Sequence, residues 1–148
     1  MKPLNEIIES IDSVVVKAYE SKRIGDSVSD AADSASTLAG YQAIGDGWRT
    51  IEHEYESIID MLAYDIGHDL AYSSDQLLPI EECVALAESL SMHAESGSTW
   101  VTNHSPKTYG HNGTVFGSWN PVSDWTFDKA IVAVGHHKTL FICFFAED

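Results

Sequence analysis

The residue types and the spacing of apolar residues change at residues 95–98, and this change constrains the fold more than any other feature of the sequence. Before this point apolar residues recur every three or four positions, which is the period of a buried helical face. Beyond it Thr, Val, Trp and Phe are frequent, with Gly, Asn and Pro between them, as in strands joined by turns. Helices followed by strands predict an α+β fold. We expect one domain, with about four helices in residues 1–95 packed on an antiparallel sheet of roughly three to four strands in residues 98–148.

Helix starts and stops in the first part have recognisable signals. Pro3 suits the first turn of a helix, and so does Pro79. The segment from Ser27 to Asp30 resembles a capping box, and the Gly-Asp-Gly at 45–47 ends the helix that this box begins. From these signals and the apolar spacing we predict helices at about 4–19, 27–44, 50–72 and 79–94.

Strands are predicted in the second part from short apolar runs bounded by turn residues. They cover residues 98–103, 113–119, 129–135 and 139–148. The Asn-Gly pair at 112–113 predicts a turn ahead of the second strand, and the Gly-His-His-Lys at 135–138 predicts a hairpin between the last two. These last two strands are almost continuously apolar, so we expect both of their faces to be covered by helices.

The charge of the chain excludes several classes of partner. Twenty-three acidic residues against eight basic ones give a formal net charge of −15, which repels nucleic acid and anionic membranes and attracts basic surfaces. No apolar run reaches the roughly 18 residues of a membrane span, and acidic residues stand where a signal peptide would be apolar. We therefore expect a cytoplasmic protein. Cys83 and Cys143 are predicted to be reduced core residues.

The acidic residues are unevenly distributed. Between Arg49 and Lys107 the chain carries eleven carboxylates and no basic residue, and six of these carboxylates fall in residues 52–69. Winding this stretch at about 100° per residue places three on each flank of the apolar stripe. One flank holds Glu52, Glu56 and Asp60, and the other holds Glu54, Asp65 and Asp69. The like-charge pairs at four-residue spacing should together cost about 1 kcal/mol, which one lysine would relieve.

A protein-binding function accounts for this uncompensated charge. Six charges over about 26 Å of helix approach the density of phosphates along one DNA strand. Such a surface would fit the basic groove of a nuclease, restriction enzyme or repressor, as in immunity and antirestriction proteins and other DNA mimics. Aspartates 26, 30 and 33 are predicted to extend it, and the nine predicted partner-binding residues are then Glu52, Glu54, Glu56, Asp60, Asp65, Asp69, Asp26, Asp30 and Asp33. No catalytic residue, metal ligand or cofactor is predicted.

Two other functions remain open from the sequence. The acidity of a structural or oligomerisation domain, including a homodimer, could be merely solubilising. Alternatively the pentapeptide DIGHD at 65–69 resembles the HDxGH core of the HD phosphohydrolases, which implies a small metal-dependent hydrolase using Asp65, His68 and Asp69. Tyr64 stands where that family has its first histidine, so no catalytic role is transferred from the resemblance.

Histidines and aromatic residues of the second part have ordinary structural interpretations and more specific ones. The histidines, His104, His111, His136 and His137, are predicted to be loop residues, with a zinc site as the alternative. The aromatic residues Trp100, Trp119, Trp125 and Phe127 are predicted to pack in the core, with a ligand-binding wall or an interface anchor as the alternative.

Overall fold

A computed structural model describes residues 1–51, 55–71, 76–105, 108–109, 115–116 and 118–147. Its helices are α1 (Leu4–Ser10), α2 (Val28–Leu38), α3 (Tyr55–Gly67) and α4 (Ile80–Ser91), and a short 3-10 turn lies at Gly45–Gly47. Its strands are β1 (Val15–Lys22), β2 (Arg49–Thr50), β3 (Thr99–Thr102), β4 (Thr108–Tyr109), β5 (Val115–Phe116), β6 (Phe127–Val134) and β7 (Lys138–Ala146). The predicted α+β class is confirmed.

Five strands form the main sheet, in the order β1-β7-β6-β3-β2, and every neighbouring pair is antiparallel. The prediction of three to four strands is therefore wrong. Two of the five, β1 and β2, come from the part of the chain that was predicted to be mainly helical. Among its described residues, the strand predicted at 113–119 contributes β5, which pairs with β4 in a separate two-stranded sheet. The predicted hairpin between the last two strands is confirmed as β6 and β7.

The first predicted helix is half as long as its apolar spacing suggested. Helix α1 ends at Ser10, and β1 pairs along its whole length with β7, from Val15 opposite Phe145 to Lys22 opposite Lys138. The β-branched run of residues 14–16 loses side-chain freedom in a helix and suits a pleated strand. The apolar spacing of residues 14–19 fits a helix or a strand, and pairing with the apolar strand β7 therefore decided the structure.

Helices α2, α3 and α4 lie within the other three predicted ranges, but they are shorter and end at different residues. The Ser27 hydroxyl accepts a hydrogen bond from the backbone N–H of Asp30 at the predicted start of α2, but the helix ends at Leu38. Residues 49–50 form β2 where the third helix was expected to begin. Helix α4 begins after Pro79 as predicted.

Helices cover both faces of the central β6–β7 hairpin, as its apolar sequence predicted. Ile131, Ile142 and Phe144 point to the face that packs against α1, α3 and α4, which we call the helical layer. Val132 and Phe141 point to the opposite face and pack against α2. The α2 and α3 helices therefore lie on opposite sides of the sheet.

Candidate protein-binding surface

The helical layer carries exposed acidic residues on all three of its helices. Helix α4 contacts both α1 and α3, and its Cys83, Ala87 and Leu90 are buried against the core. Acidic side chains occupy several of the exposed positions that remain. The exposed carboxylates of the layer and the turn that follows α1 are Glu6, Glu9, Asp12, Asp60, Glu81, Glu82 and Glu88.

No positive charge is built into this layer. Residues 3–16 and 50–106, which supply its three helices, contain no lysine or arginine. The ion pairs formed within the described part of the chain use Glu20, Asp65 and Glu95, and none uses the seven exposed carboxylates of the layer. Among the described residues, no ion pair therefore offsets the repulsion between these carboxylates, which solvent and counterions screen.

Six of the seven carboxylates were missed by the sequence prediction because only residues 52–69 and aspartates 26, 30 and 33 were treated as an acidic surface. The six are Glu6, Glu9, Asp12, Glu81, Glu82 and Glu88. The signal that identifies them is the same one, an acidic segment without a cation. It was overlooked because each of these helices is less acidic than residues 52–69, and only their packing in one layer combines them.

The acidic residues predicted to form a binding surface on the third helix differ in their exposure. Asp60 is exposed on α3, as a partner-binding residue must be. Asp69 is half-buried, and its carboxylate accepts a hydrogen bond from the backbone N–H of Ala71. Glu52 and Glu54 lie outside the described residues, and so does the side chain of Glu56.

Asp65 does not lie on an exposed flank of α3, and its assignment to the binding surface is wrong. Its side chain faces the sheet and is 1% exposed. The Lys129 ammonium lies 2.9 Å from its Oδ2 and donates a hydrogen bond of 3.2 Å to its Oδ1, whereas Oδ2 receives no well-directed hydrogen bond. Lys129 belongs to β6 and is itself 4% exposed, so the two charges neutralise each other inside the core.

Aspartates 26, 30 and 33 cannot extend the surface of α3, because the sheet separates them from it. Asp26 and Asp30 are exposed on the α2 side. Asp33 accepts hydrogen bonds from the backbone N–H groups of Ile44 and Gly45 and from Trp48 Nε1 at 2.7 Å. Its carboxylate therefore holds the segment that follows α2 against the helix, which is a structural role.

Comparison of the chain with protein families, with curated proteins and with solved structures finds no match. Function is therefore inferred from the chemistry of the surface alone. Over the described ranges, no helix combines the length and the apolar character that crossing a membrane requires.

The residues of the DIGHD segment are occupied by structural contacts. His68 Nδ1 lies 2.8 Å from the carbonyl oxygen of Tyr64, and the two rings stack with their centroids 3.9 Å apart. Asp65 is paired with Lys129. Within the parts of the chain that the structure describes, no group of three or more His, Cys, Asp or Glu residues is placed to hold a metal ion.

The four tryptophan and phenylalanine residues do not form a single wall. Trp100 packs on the helical-layer side of the sheet, whereas Trp125 lies against Phe145 on the α2 side. Trp119 lies between His104 and Phe127, with ring centroids 5.3 and 5.5 Å away. The alternative of a shared ligand-binding wall is therefore wrong.

Both cysteines are free and buried. Burial raises the pKa of the Cys83 thiol, and it raises the pKa of Cys143 well above its ordinary value. Neither thiol is poised to act as a nucleophile, which agrees with the prediction that both are core residues.

A second buried polar cluster lies where β6 begins. Asp128 is fully buried, and its carboxylate accepts hydrogen bonds from Asn103 Nδ2 at 2.8 Å and from the Ser123 hydroxyl at 2.7 Å. The backbone N–H groups of Val122 and Ser123 also donate to it. One carboxylate thus fixes the chain segment before β6 to the end of β3.

The histidines have local contacts. His136 and His137 are exposed in the β6–β7 turn, where both the Nδ1 and the backbone N–H of His137 contact the Glu95 carboxylate. His104 Nε2 lies 2.6 Å from the Asp128 carbonyl oxygen and therefore donates to it. His111 lies outside the described residues.

Acid should weaken the fold through His104. Burial lowers its pKa from 6.5 to about 4, and the hydrogen bond to the Asp128 carbonyl only partly opposes this change. Between pH 6.5 and pH 4, His104 is therefore mostly protonated in the unfolded chain and mostly neutral in the folded chain. Stability should be unaffected above pH 6.5 and should fall by at most about 3 kcal/mol as the pH drops to 4.

Urea unfolding between pH 4 and pH 7 measures this effect, with His104→Gln as the comparison because glutamine does not titrate. The stability curve of the variant should be flatter over this range. If the free energy of unfolding falls equally steeply with decreasing pH in the variant and the parent protein, His104 does not cause the loss of stability in acid.

Proposed function

We propose that this protein binds a basic, nucleic-acid-handling protein through the helical layer and inhibits it by occupying its nucleic-acid groove. The observation that carries this proposal is the set of seven exposed carboxylates on adjoining helices whose segments contain no lysine or arginine. A basic groove presents the opposite charge in the same extended form. The protein therefore belongs by its chemistry to the same functional class as immunity and antirestriction proteins.

Charge complementarity increases the association rate of such an inhibitor and its selectivity for basic partners. A negative layer steers a basic partner into encounter, and association can be accelerated by several orders of magnitude at low salt. Binding also releases the counterions that both surfaces hold when they are apart, as DNA binding does. The repulsion that the layer stores in the free protein is relieved in the complex, which favours binding further.

The distribution of cations argues against an acidity that serves only solubility. A solubilising acidity has no reason to exclude lysine and arginine from three adjoining helices. The described cations that are not buried lie instead at the N-terminus and on or beside strands, and they include Lys2, Lys17, Lys22, Arg49 and Lys138. Strand register places Lys22, Arg49 and Lys138 on the same face of the sheet as the layer, but on strands and not on its helices.

Neutralising three carboxylates of the layer should weaken inhibition strongly, and neutralising three outside it should not. The test variant is Glu9→Gln, Glu81→Gln and Glu88→Gln together. The matched control is Asp26→Asn, Asp46→Asn and Asp124→Asn, which changes the net charge equally at exposed positions outside the layer. Inhibition is measured on a panel of purified nucleases, restriction endonucleases and repressors, by DNA cleavage or DNA binding.

We expect at least one member of the panel to be inhibited. For that member, the layer variant should need about tenfold more protein for half-inhibition, and the control less than about threefold more. Inhibition should weaken steeply between about 50 and 200 mM salt. A panel that is unaffected at low salt, or equal losses in the two variants, would contradict the proposed function.

A further inference from the structure

His93 lies just after the end of α4, and both of its ring nitrogens have a hydrogen-bond partner. The residue is only 6% exposed. Nδ1 lies 2.8 Å from the Glu20 carboxylate on β1, and Nε2 lies 2.7 Å from the backbone carbonyl oxygen of Lys2, which precedes α1. The ring therefore joins three parts of the chain, which are the end of α4, the N-terminal segment and the edge strand of the sheet.

Both partners of the His93 ring are hydrogen-bond acceptors. A backbone carbonyl carries no proton, and an exposed carboxylate such as Glu20 is ionised at neutral pH. Glu20 also pairs with the Lys138 ammonium at 3.7 Å, as an ionised carboxylate does. A neutral imidazole has one N–H, so in either tautomer one nitrogen would turn its lone pair toward an oxygen at 2.7 or 2.8 Å. Only the doubly protonated ring donates to both partners.

The bond from His93 holds a segment that has few other ties. Among the described residues, it is the only hydrogen bond that joins residues 1–12 to the remainder of the chain. Helix α1 has seven residues and no side-chain cap at its N-terminus. A helix this short does not persist alone, so its position depends on the burial of Ile7 and Ile11 and on this bond.

Loss of one proton from the ring would act on the N-terminal segment. A carboxylate is a stronger acceptor than a carbonyl, so the remaining proton stays on Nδ1 and faces Glu20. Nε2 then presents a lone pair to the Lys2 carbonyl oxygen at 2.7 Å, and the contact that held the segment becomes repulsive. Imidazole side chains ordinarily change charge between about pH 5 and pH 8.

We propose that His93 is a proton-dependent clamp, which holds α1 in the helical layer when its ring is doubly protonated and loosens α1 when the ring is neutral. The docked helix needs the second proton and the detached helix does not, so raising the pH favours detachment. Glu6, Glu9 and Asp12 belong to the acidic layer, and the clamp therefore also governs whether these three carboxylates are in place. Docking of α1 is a property of the free protein and is independent of the proposed function.

The charged groups nearest the ring belong to neighbouring elements. Glu20 on β1 contacts the ring directly, and Lys138 on β7 reaches the same carboxylate. The carbonyl end of the α4 dipole lies beside the ring and attracts positive charge. The other charged groups of the elements that meet here are exposed or paired elsewhere, and they are the Met1 amine, Lys2, Glu6, Asp60, Glu88 and Glu95, which pairs with His137.

Hydrogen exchange of the full chain, followed by NMR at about pH 6 and about pH 8.5, tests the clamp. Exchange rates are divided by the intrinsic rate at each pH, so that protection of the α1 amides reports how often α1 detaches. We expect this protection to fall at least about tenfold at the higher pH, as the loss of one charge-assisted hydrogen bond requires. Amides of β7 should stay better protected than those of α1 at both pH values. His104 remains neutral in the folded protein throughout, because burial lowers its pKa to about 4.

Long-range ¹⁵N NMR observes the ring protons directly. His93 should carry a proton on both nitrogens at about pH 6 and on one at about pH 8.5. His93→Gln should lower the protection of α1 and remove its pH dependence, because glutamine does not titrate. Glu20→Gln should remove the pH dependence but keep the protection, since its amide can donate to a neutral ring that donates to Lys2.

His137→Gln is the matched control, because His137 also pairs with a carboxylate but lies outside the clamp, and it should change nothing. Equal protection of α1 at the two pH values in the parent protein would overturn the clamp. A singly protonated ring at about pH 6, or a pH dependence that persists in His93→Gln, would overturn it equally. These outcomes leave the proposed function intact, because that function is tested by inhibition.

Discussion

Replacement of Lys129 by methionine is expected to lower the free energy of unfolding by about 3–5 kcal/mol. Methionine nearly matches lysine in length and fills the same space, so packing should be almost unchanged. The loss comes from Asp65, which is 1% exposed and would be left as a buried carboxylate without a counter-charge. Urea unfolding followed by circular dichroism measures the change.

The double variant Asp65→Leu with Lys129→Met is the control for this interpretation. It removes both charges from the interior, and buried pairs replaced by apolar residues are often neutral or stabilising by about 1–4 kcal/mol. The double variant should therefore regain most of the stability that the single variant loses. A single variant within about 1 kcal/mol of the parent protein would show that Asp65 protonates or reaches solvent at little cost.

The Asp65–Lys129 ion pair could not be predicted from the sequence. Helical winding placed Asp65 beside the apolar stripe of α3, where an acidic residue normally reaches solvent. Its cation is Lys129, sixty-four positions away and on a strand from the other part of the chain. Periodicity describes one element at a time, so it cannot reveal a charge that is neutralised by a distant element.

Strand β1 shows a second limit, which is competition between local preference and sheet pairing. Residues 4–19 keep the spacing of a helical face throughout, yet only the first part is helical. The triple valine at 14–16 was a local signal against a long helix. The decisive contribution is the pairing with β7, whose buried apolar residues need a neighbour on each side. That need is visible only when the sheet order is known.

The sequence predicted that an uncompensated acidic surface exists, but it did not predict which residues form it. A segment without lysine or arginine indicated an uncompensated surface, and Asp60 lies on it. The sheet, however, separates Asp26 and Asp30 from α3 and brings α1 beside α4 instead. Sequence spacing gives the angular position of a residue on its own helix, whereas the layer to which that helix belongs depends on the topology.

Replacement of Asp128 by alanine is expected to destabilise the fold by about 4 kcal/mol or more. Its carboxylate is fully buried and accepts hydrogen bonds from Asn103, from the Ser123 hydroxyl and from two backbone N–H groups. Hydrogen bonds to a charged acceptor contribute about 1.5–3 kcal/mol each, and donors orphaned in the interior add a desolvation cost.

Asp124→Ala is the matched control, because Asp124 lies in the same segment but is exposed, and its loss should cost less than about 0.5 kcal/mol. Asp128→Asn should fall between the two variants, since the amide oxygen still accepts while the amide nitrogen opposes the donors around it. Urea unfolding of the three variants ranks them. If Asp128→Ala and Asp124→Ala proved equally mild, the segment before β6 would not depend on this carboxylate. The expected ranking follows from a balance of donors and acceptors: a carboxylate with several buried donors can be replaced only by a group that accepts from all of them, and no uncharged side chain of that size does.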